Sequence, residues 1–256
     1  MRRSITATLA TSAVVASTAL WSAAAPALAM TPAAKHHDGH HAVHRATKHH
    51  AAHAKKHHHA KKHHHVKPHV VNGTKRPNHL VGSSGRDHLF GHKGQDDLQG
   101  GNGADLLFGG PSNDVLFPGD GADHAFGGSG GDWIVRPDKP SAIGYLFGNA
   151  GDDHLRGGQH DHLSGGPGND LLSVGQAGTA SGGPGRDTIY ARAGGAEIFA
   201  GPGDDVIYAN AGFTVVALKD GDVDRVHCRK GAIVYTRSVD AKDKIDKNCN
   251  RAGQPG

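Results

Sequence analysis

The sequence predicts an all-β fold, a right-handed parallel β-roll wound from nine-residue coils, and three observations carry that prediction. A glycine-rich phrase begins at Gly73 and recurs at 82, 91, 100, 109, 118 and 127 without a spacing error. Each copy carries one aliphatic residue at a fixed place, as in Gly100-Gly101-Asn102-Gly103-Ala104-Asp105-Leu106-Leu107 and Gly165-Gly166-Pro167-Gly168-Asn169-Asp170-Leu171-Leu172. Composition supplies the third: the 256 residues are 36% hydrophobic and 5% aromatic, with 39 glycines, too little apolar mass for an ordinary core of this length. Such a chain stays disordered unless stacking of repeats or bound ions replaces the missing burial.

From the N-terminus, residues 1–29 read as a secretory signal. Arg2 and Arg3 precede an uncharged stretch to about Trp21, and Pro26 and Ala27-Leu28-Ala29 supply a small-residue cleavage site. After its removal no segment approaches the ~20 apolar residues of a membrane helix, so no membrane span is expected. Residues 30–70 hold 15 of the 23 histidines, in runs such as His57-His58-His59 broken by Lys55-Lys56 and Lys61-Lys62. Without apolar periodicity this segment is expected to be disordered. It carries eight Lys or Arg against one acid, whereas residues 71–256 carry 18 against 23 acids, so a basic leader precedes an acidic domain and the two should attract different partners.

The repeat domain spans 71–217. Its register breaks at Arg136-Ser141, where Pro137 and Pro140 mark an inserted loop, and resumes at Gly148 with later starts near 157, 165, 174, 182, 191, 200 and 209. Coils this short leave room for a tight turn and a three-residue strand with its middle residue inward. Leu80, Leu89, Leu98, Leu107, Leu116, Ile134, Leu155, Leu163, Leu172, Ile189, Ile198, Ile207 and Val216 take that inward position. Residues 218–256 lose the phrase and form a cap, which a stacked sheet needs at its end. Cys228 and Cys249 read there as one disulfide, contributing ~3 kcal/mol through loop entropy, with two free thiols as the alternative.

Two coils make one turn, so alternate coils share an edge. One edge carries Asn78, Asp96, Asp114, Asp132, Asp153, Asp170, Asp187 and Asp205 at the sixth position; the other carries Asp87, Asp105, Asp123, Gly144, Asp161, Thr179, Ala196 and Thr214. Like charges stacked ~4.8 Å apart repel by about 0.9 kcal/mol per pair even in bulk water. Left alone the ladder opposes folding. Ca2+ takes about six to eight hard oxygens, from carboxylates and from carbonyls that glycine turns can aim at one point, so an ion between rungs converts repulsion into coordination. The two edges differ, and calcium is expected on both in the N-terminal half and on essentially one afterwards, with about eight inter-turn sites at most.

The phrase G-G-x-G-x-D-x-U-x resembles the haemolysin-type calcium-binding repeat, or RTX, family over residues 73–217. The resemblance implies that each ion takes the aspartate and turn carbonyls of one coil plus carbonyls from the coil two further on. It departs at Pro118, at Ser112 and at Gln159-His160, and in having an N-terminal rather than a C-terminal export signal. The implied metal ligands are Asp87, Asp96, Asp105, Asp114, Asp123, Asp132, Asp153, Asp161, Asp170, Asp187 and Asp205, in a secreted protein that folds on meeting extracellular calcium.

Other chemistry fits less well. The chain has one glutamate, Glu197, which excludes an H-E-x-x-H zinc protease, and Gly127-Gly128-Ser129-Gly130-Gly131 matches G-x-S-x-G only inside a repeat. Asp220-Gly221-Asp222-Val223-Asp224 starts like an EF-hand loop but has Arg225 for the required glycine, and reads as a solvated acidic turn. A calcium-dependent polysaccharide enzyme using Arg156, Arg186 or Arg192 is the alternative function. The His-rich leader offers a third, binding of Zn2+, Ni2+ or Cu2+, or of anionic cell-wall or extracellular polymers once mild acid charges the imidazoles. No nucleic acid partner is expected. Trp133 is placed outward beside Asp132, as a surface aromatic.

Overall fold

A computed structural model describes residues 67–138, 142–210, 212–218, 220–239 and 241–251; the signal segment, and the His/Lys-rich segment up to residue 66, lie outside the described residues. Every regular element described is a β-strand, and successive strands alternate between two sheets. His69–Asn72, Asp87–Phe90 and Leu106–Pro111 begin a sheet of 11 strands, and His79–Val81, Asp97–Gly103 and Val115–Gly121 begin one of 10. Neighbours within each sheet pair in parallel, the arrangement of a solenoid with two coils per turn.

The core is two columns of inward side chains. In the larger sheet Leu89, Leu107, Ala125, Leu146, Leu163, Ala180, Ile198 and Val216 stand in register. In the other, Leu80, Leu98, Leu116, Ile134, Leu155, Leu172, Ile189, Ile207 and Val226 do so, and all of these residues are buried. Burial of each large member is worth about 1.5–3 kcal/mol. Ala125, Leu146 and Ala180 join the aliphatic column read from the sequence; two are small, and the third follows the loop that disturbs the register.

The turns need glycine where the backbone enters the left-handed region beside the previous turn. Gly101 has φ 101°, and a Cβ there would lie 2.6 Å from Ser83 O. Where Ser112 replaces the third glycine of the phrase, at its fourth position, the residue is held at φ 97°, so the stack imposes the glycine conformation on a side chain that disfavours it.

Past residue 217 the phrase is gone but the stacking continues. Arg225–Cys228 pairs with Val206–Ala209 and then with Lys244–Ile245, while Ala232–Ser238 pairs with Gly212–Ala217 and then with Asn250–Arg251. The expected disulfide joins Cys228 to Cys249 over a separation of 21 residues.

Candidate metal centre

The sixth-position aspartates close each turn, and the fold buries them: Asp87, Asp96, Asp105, Asp114, Asp123, Asp132, Asp153, Asp161, Asp170, Asp187 and Asp205 are each at most 2% exposed. They form ladders because each carboxylate except that of Asp87 also serves as a rung. One oxygen accepts the backbone N–H of the equivalent residue one turn earlier, as in Asp96 N–H to Asp114 Oδ1 at 2.8 Å, Asp114 to Asp132 at 2.8 Å and Asp170 to Asp187 at 2.8 Å. The step is 18 residues where two full coils intervene, 21 across the inserted loop and 17 where a coil is shortened.

The second oxygen is the informative one. Oδ2 of Asp96, Asp105, Asp114, Asp123, Asp132, Asp153, Asp170, Asp187 and Asp205 is buried with no hydrogen-bond donor. A buried carboxylate oxygen without a donor or counter-charge costs several kcal/mol. Backbone oxygens converge on the same places. A Cβ added to Gly91 would lie 2.6 Å from Asp96 Oδ2 and 2.5 Å from Gly109 O, one turn further on; at Gly109 the corresponding neighbours are Asp114 Oδ2 at 2.5 Å and Gly127 O at 2.6 Å. First-position glycine thus leaves room for a carboxylate of its own coil and a carbonyl of the coil two further on. These all-oxygen donor sets fit a hard divalent cation such as calcium.

Burial shapes the electrostatics accordingly. Desolvation pushes Asp105, Asp132 and Asp170 up to about 6, and Asp114, Asp153 and Asp187 up to about 7, against the restraining backbone N–H that each accepts. Asp205 reaches about 8, first by burial, with Asp187, Asp224 and Asp220 adding like charge.

The second edge behaves differently from its midpoint. Where Gly144 lacks a carboxylate, the guanidinium of Arg136 fills the space, its Cζ 2.7 Å from where a Gly144 Cβ would stand. Arg136 is 3% exposed; Nη1 donates to Asp161 Oδ1, and Nη2 donates to Gly121 O and lies 3.4 Å from Asp123 Oδ2. A cation belonging to the chain therefore sits between carboxylates of two turns. Asp161 has both oxygens engaged, since Gly144 N–H also bonds Oδ1 at 2.7 Å and Gly158 N–H bonds Oδ2 at 2.6 Å. At the start of this edge Asp87 is likewise satisfied, by Ser83 and by His69 Nδ1 at 3.1 Å.

Beyond Asp161 the equivalent residue is Gly178 rather than Thr179, because Thr179 pairs with His162 and its N–H bonds Asp161 O. The single-residue deletion falls in the turn, so the last turn residue moves back by one. A Cβ on Gly178 would meet Val174 Cγ2 at 2.7 Å: the valine occupies the place of the missing carboxylate. Ala191 precedes Ala196 and Ala209 precedes Thr214 in the same relation, all four buried. In these three coils the first-position glycine and the aspartate are lost together, whereas the coils of Pro118 and Ala200 keep Asp123 and Asp205 without a first-position glycine.

Sequence reasoning missed Arg136, which stands in the irregular segment where no spacing rule applies, and Asp224. Asp224 continues the first ladder beyond the repeats: it is fully buried, accepts Asp205 N–H at 2.9 Å on Oδ1 and leaves Oδ2 without a donor. The expectation of a solvated acidic turn fails for this residue, since the stacking that buries it persists after the phrase has ended. Arg156 and Arg192 pair with Asp138 at 3.1 and 2.8 Å, while Arg186 lies 3.8 Å from Asp204. Trp133 is outward and 49% exposed, tilted against His154 with ring centroids 4.3 Å apart.

A solenoid whose turns each present a buried carboxylate and converging carbonyls is a calcium-repeat architecture. The family model for the RTX calcium-binding nonapeptide repeat (4 copies) matches residues 72–107, 99–134, 144–172, 177–195 and 181–215, and the chain belongs to that family. No curated protein matches it.

Proposed function

We propose that this calcium-binding repeat protein is secreted, folds on binding Ca2+ outside the cell, and acts as a structural or binding module without catalytic activity. The observation that carries the reading is the column of buried, donor-less Oδ2 atoms running from Asp96 to Asp205. Ionised and unpaired, these groups oppose burial; bound calcium supplies the positive charge and the coordination they lack, so binding energy becomes folding energy. Low calcium inside a cell would then leave the chain unfolded for export. The disulfide agrees with an oxidising compartment outside the cytosol.

The ions would be held by Asp96, Asp114, Asp132, Asp153, Asp170, Asp187 and Asp205 on the first edge and by Asp105 at the start of the second, with turn carbonyls, whereas Asp123 is already paired with the Arg136 guanidinium. Asp87 and Asp161 are satisfied by protein donors and fit structural roles in the same ladder. Far-UV circular dichroism of the chain lacking residues 1–29, with calcium and with EGTA, tests the proposal. A β spectrum that collapses in EGTA is expected; an unchanged spectrum would defeat calcium-driven folding.

A further inference from the structure

We propose that Asp205, Asp220 and Asp224 form a calcium site of their own where the repeats meet the disulfide-closed segment, an inference that rests on the calcium reading of the repeats. One carboxylate oxygen from each of the three residues lies within 4.8 Å of the other two. Asp205 and Asp224 are 0% exposed, and their Oδ1 atoms are occupied by the backbone N–H groups of Asp187 and Asp205. Their Oδ2 atoms are buried without a donor. Two buried carboxylates with spare oxygens, met by a third, make a place for a cation.

The loop that brings Asp220 there is tied to the last repeat. Asp222 N–H bonds Asp220 Oδ1 at 3.0 Å, Gly203 N–H bonds Asp222 Oδ2 at 3.0 Å, and Val223 N–H bonds Asp204 Oδ1 at 3.2 Å. Neither Asp220 nor Asp224 lies within the residues matched by the repeat family, and the nine-residue phrase has no counterpart to Asp220. The site therefore differs from the ladder rungs by an extra carboxylate presented from a loop. An all-carboxylate set selects a hard cation; zinc and copper favour imidazole and thiolate, and Mg2+ sheds its waters reluctantly. The ion joins the last repeat to Arg225–Cys228, the strand that ends in the disulfide, and so closes the C-terminal end of the stack.

Calcium is titrated calorimetrically into the chain lacking residues 1–29, as wild type, Asp220→Asn and Asp222→Asn, and amide hydrogen exchange is followed at Arg225–Cys228 and at Leu171–Val174. Asp220→Asn is expected to bind about one ion fewer and to lose about tenfold of the calcium-dependent protection at Arg225–Cys228, with Leu171–Val174 unaffected. Asp222→Asn removes the same charge from the same loop while its amide oxygen can still accept Gly203 N–H, and it is expected to bind as wild type does. Unchanged ion count in Asp220→Asn, or equal losses in both variants, would overturn the site while leaving the repeat ladder intact. Wild-type exchange is a readout that needs no variant: calcium protection at Leu171–Val174 with none at Arg225–Cys228 also overturns it. A wild type that binds no calcium defeats the reading of the repeats themselves.

Discussion

The two edges of the solenoid are made from the same phrase yet solve the problem of a closed turn in different ways. The first edge keeps aspartate at every turn from Asp96 to Asp224, each with one oxygen on a backbone N–H and one without a donor. The second does the same at Asp105, then substitutes an internal guanidinium, Arg136, between Asp123 and Asp161, then apolar side chains at Val174, Ala191 and Ala209. A turn can be closed by an external cation, a tethered one, or hydrocarbon. Only the first would make stability depend on calcium concentration, so on the proposed reading calcium control would lie with the first edge and Asp105, and the rest of the second edge would supply stability of the ordinary kind.

The largest expected effect is on pH dependence without calcium, because it sums over the ladder. Burial holds the folded-state pKa values of these aspartates above the ordinary carboxylate value, to about 6 for Asp170, about 7 for Asp187 and about 8 for Asp205. The folded chain therefore binds more protons than the unfolded one, and the associated stability is complete below about pH 4 and lost as pH rises toward about 8. In EGTA, folding followed by Trp133 fluorescence should increase on acidification across that range. With calcium the ligands must be ionised, and the calcium concentration at half-saturation should increase as pH falls. A calcium-free chain that gains structure from pH 5 to 8 would contradict the burial of this edge.

Removing the tethered cation comes next. Arg136→Met leaves Asp161 and Asp123 facing each other without compensation, and truncating one partner of a buried ion pair costs about 3–5 kcal/mol. Urea unfolding in EGTA should show that loss. Millimolar calcium should recover part of it and add a bound ion in calorimetry, because the Asp123 carboxylate and Gly121 carbonyl lose the guanidinium charge they now share. An equal loss with and without calcium would show that the guanidinium does not stand in for an ion.

A matched pair of amide substitutions separates the edges further. Asp170→Asn keeps the oxygen that accepts Asp153 N–H but removes a buried charge, so it should stabilise the chain in EGTA. In saturating calcium it should destabilise, by about 2.7 kcal/mol if the ion is present at about a hundred times its Kd. Asp161→Asn weakens the link to Arg136 and should destabilise under both conditions. Denaturation midpoints of the two variants, with and without calcium, test the change of sign.

Much of this fold was legible in the chain because a nine-residue period constrains every strand at once. A fixed step places Leu89 on Leu107 and Leu98 on Leu116 before any coordinate is known. The ladder of aspartates was legible for the same reason. Arg136 was not, since its role depends on how the irregular Pro137–Pro140 region returns a side chain to the stack, and no local pattern encodes that path. Asp224 was hidden differently: of the glycines that marked the other turns its flanking sequence keeps only Gly221, although the strand Arg225–Cys228 preserves the register. The loss of carboxylates from the later part of the second edge was readable from Ala196 and Thr214, but the apolar filling at Val174 became apparent only once Gly178 was placed opposite it.

That filling gives the smallest and most selective prediction. Val174 is fully buried and packs where another coil would carry its carboxylate, so Val174→Ala deletes two methyl groups' worth of packing at about 0.8 kcal/mol each, plus a cavity term. A loss of about 2 kcal/mol in urea unfolding is expected, equal in calcium and in EGTA where the latter still leaves a folded population, for example in mildly acidic buffer. Ion stoichiometry should not change. A calcium-dependent loss would mean that the apolar coils and the coordinating ones are energetically coupled across the solenoid. Equal losses would establish that the second edge's C-terminal half is held by packing alone, with calcium acting on the face opposite.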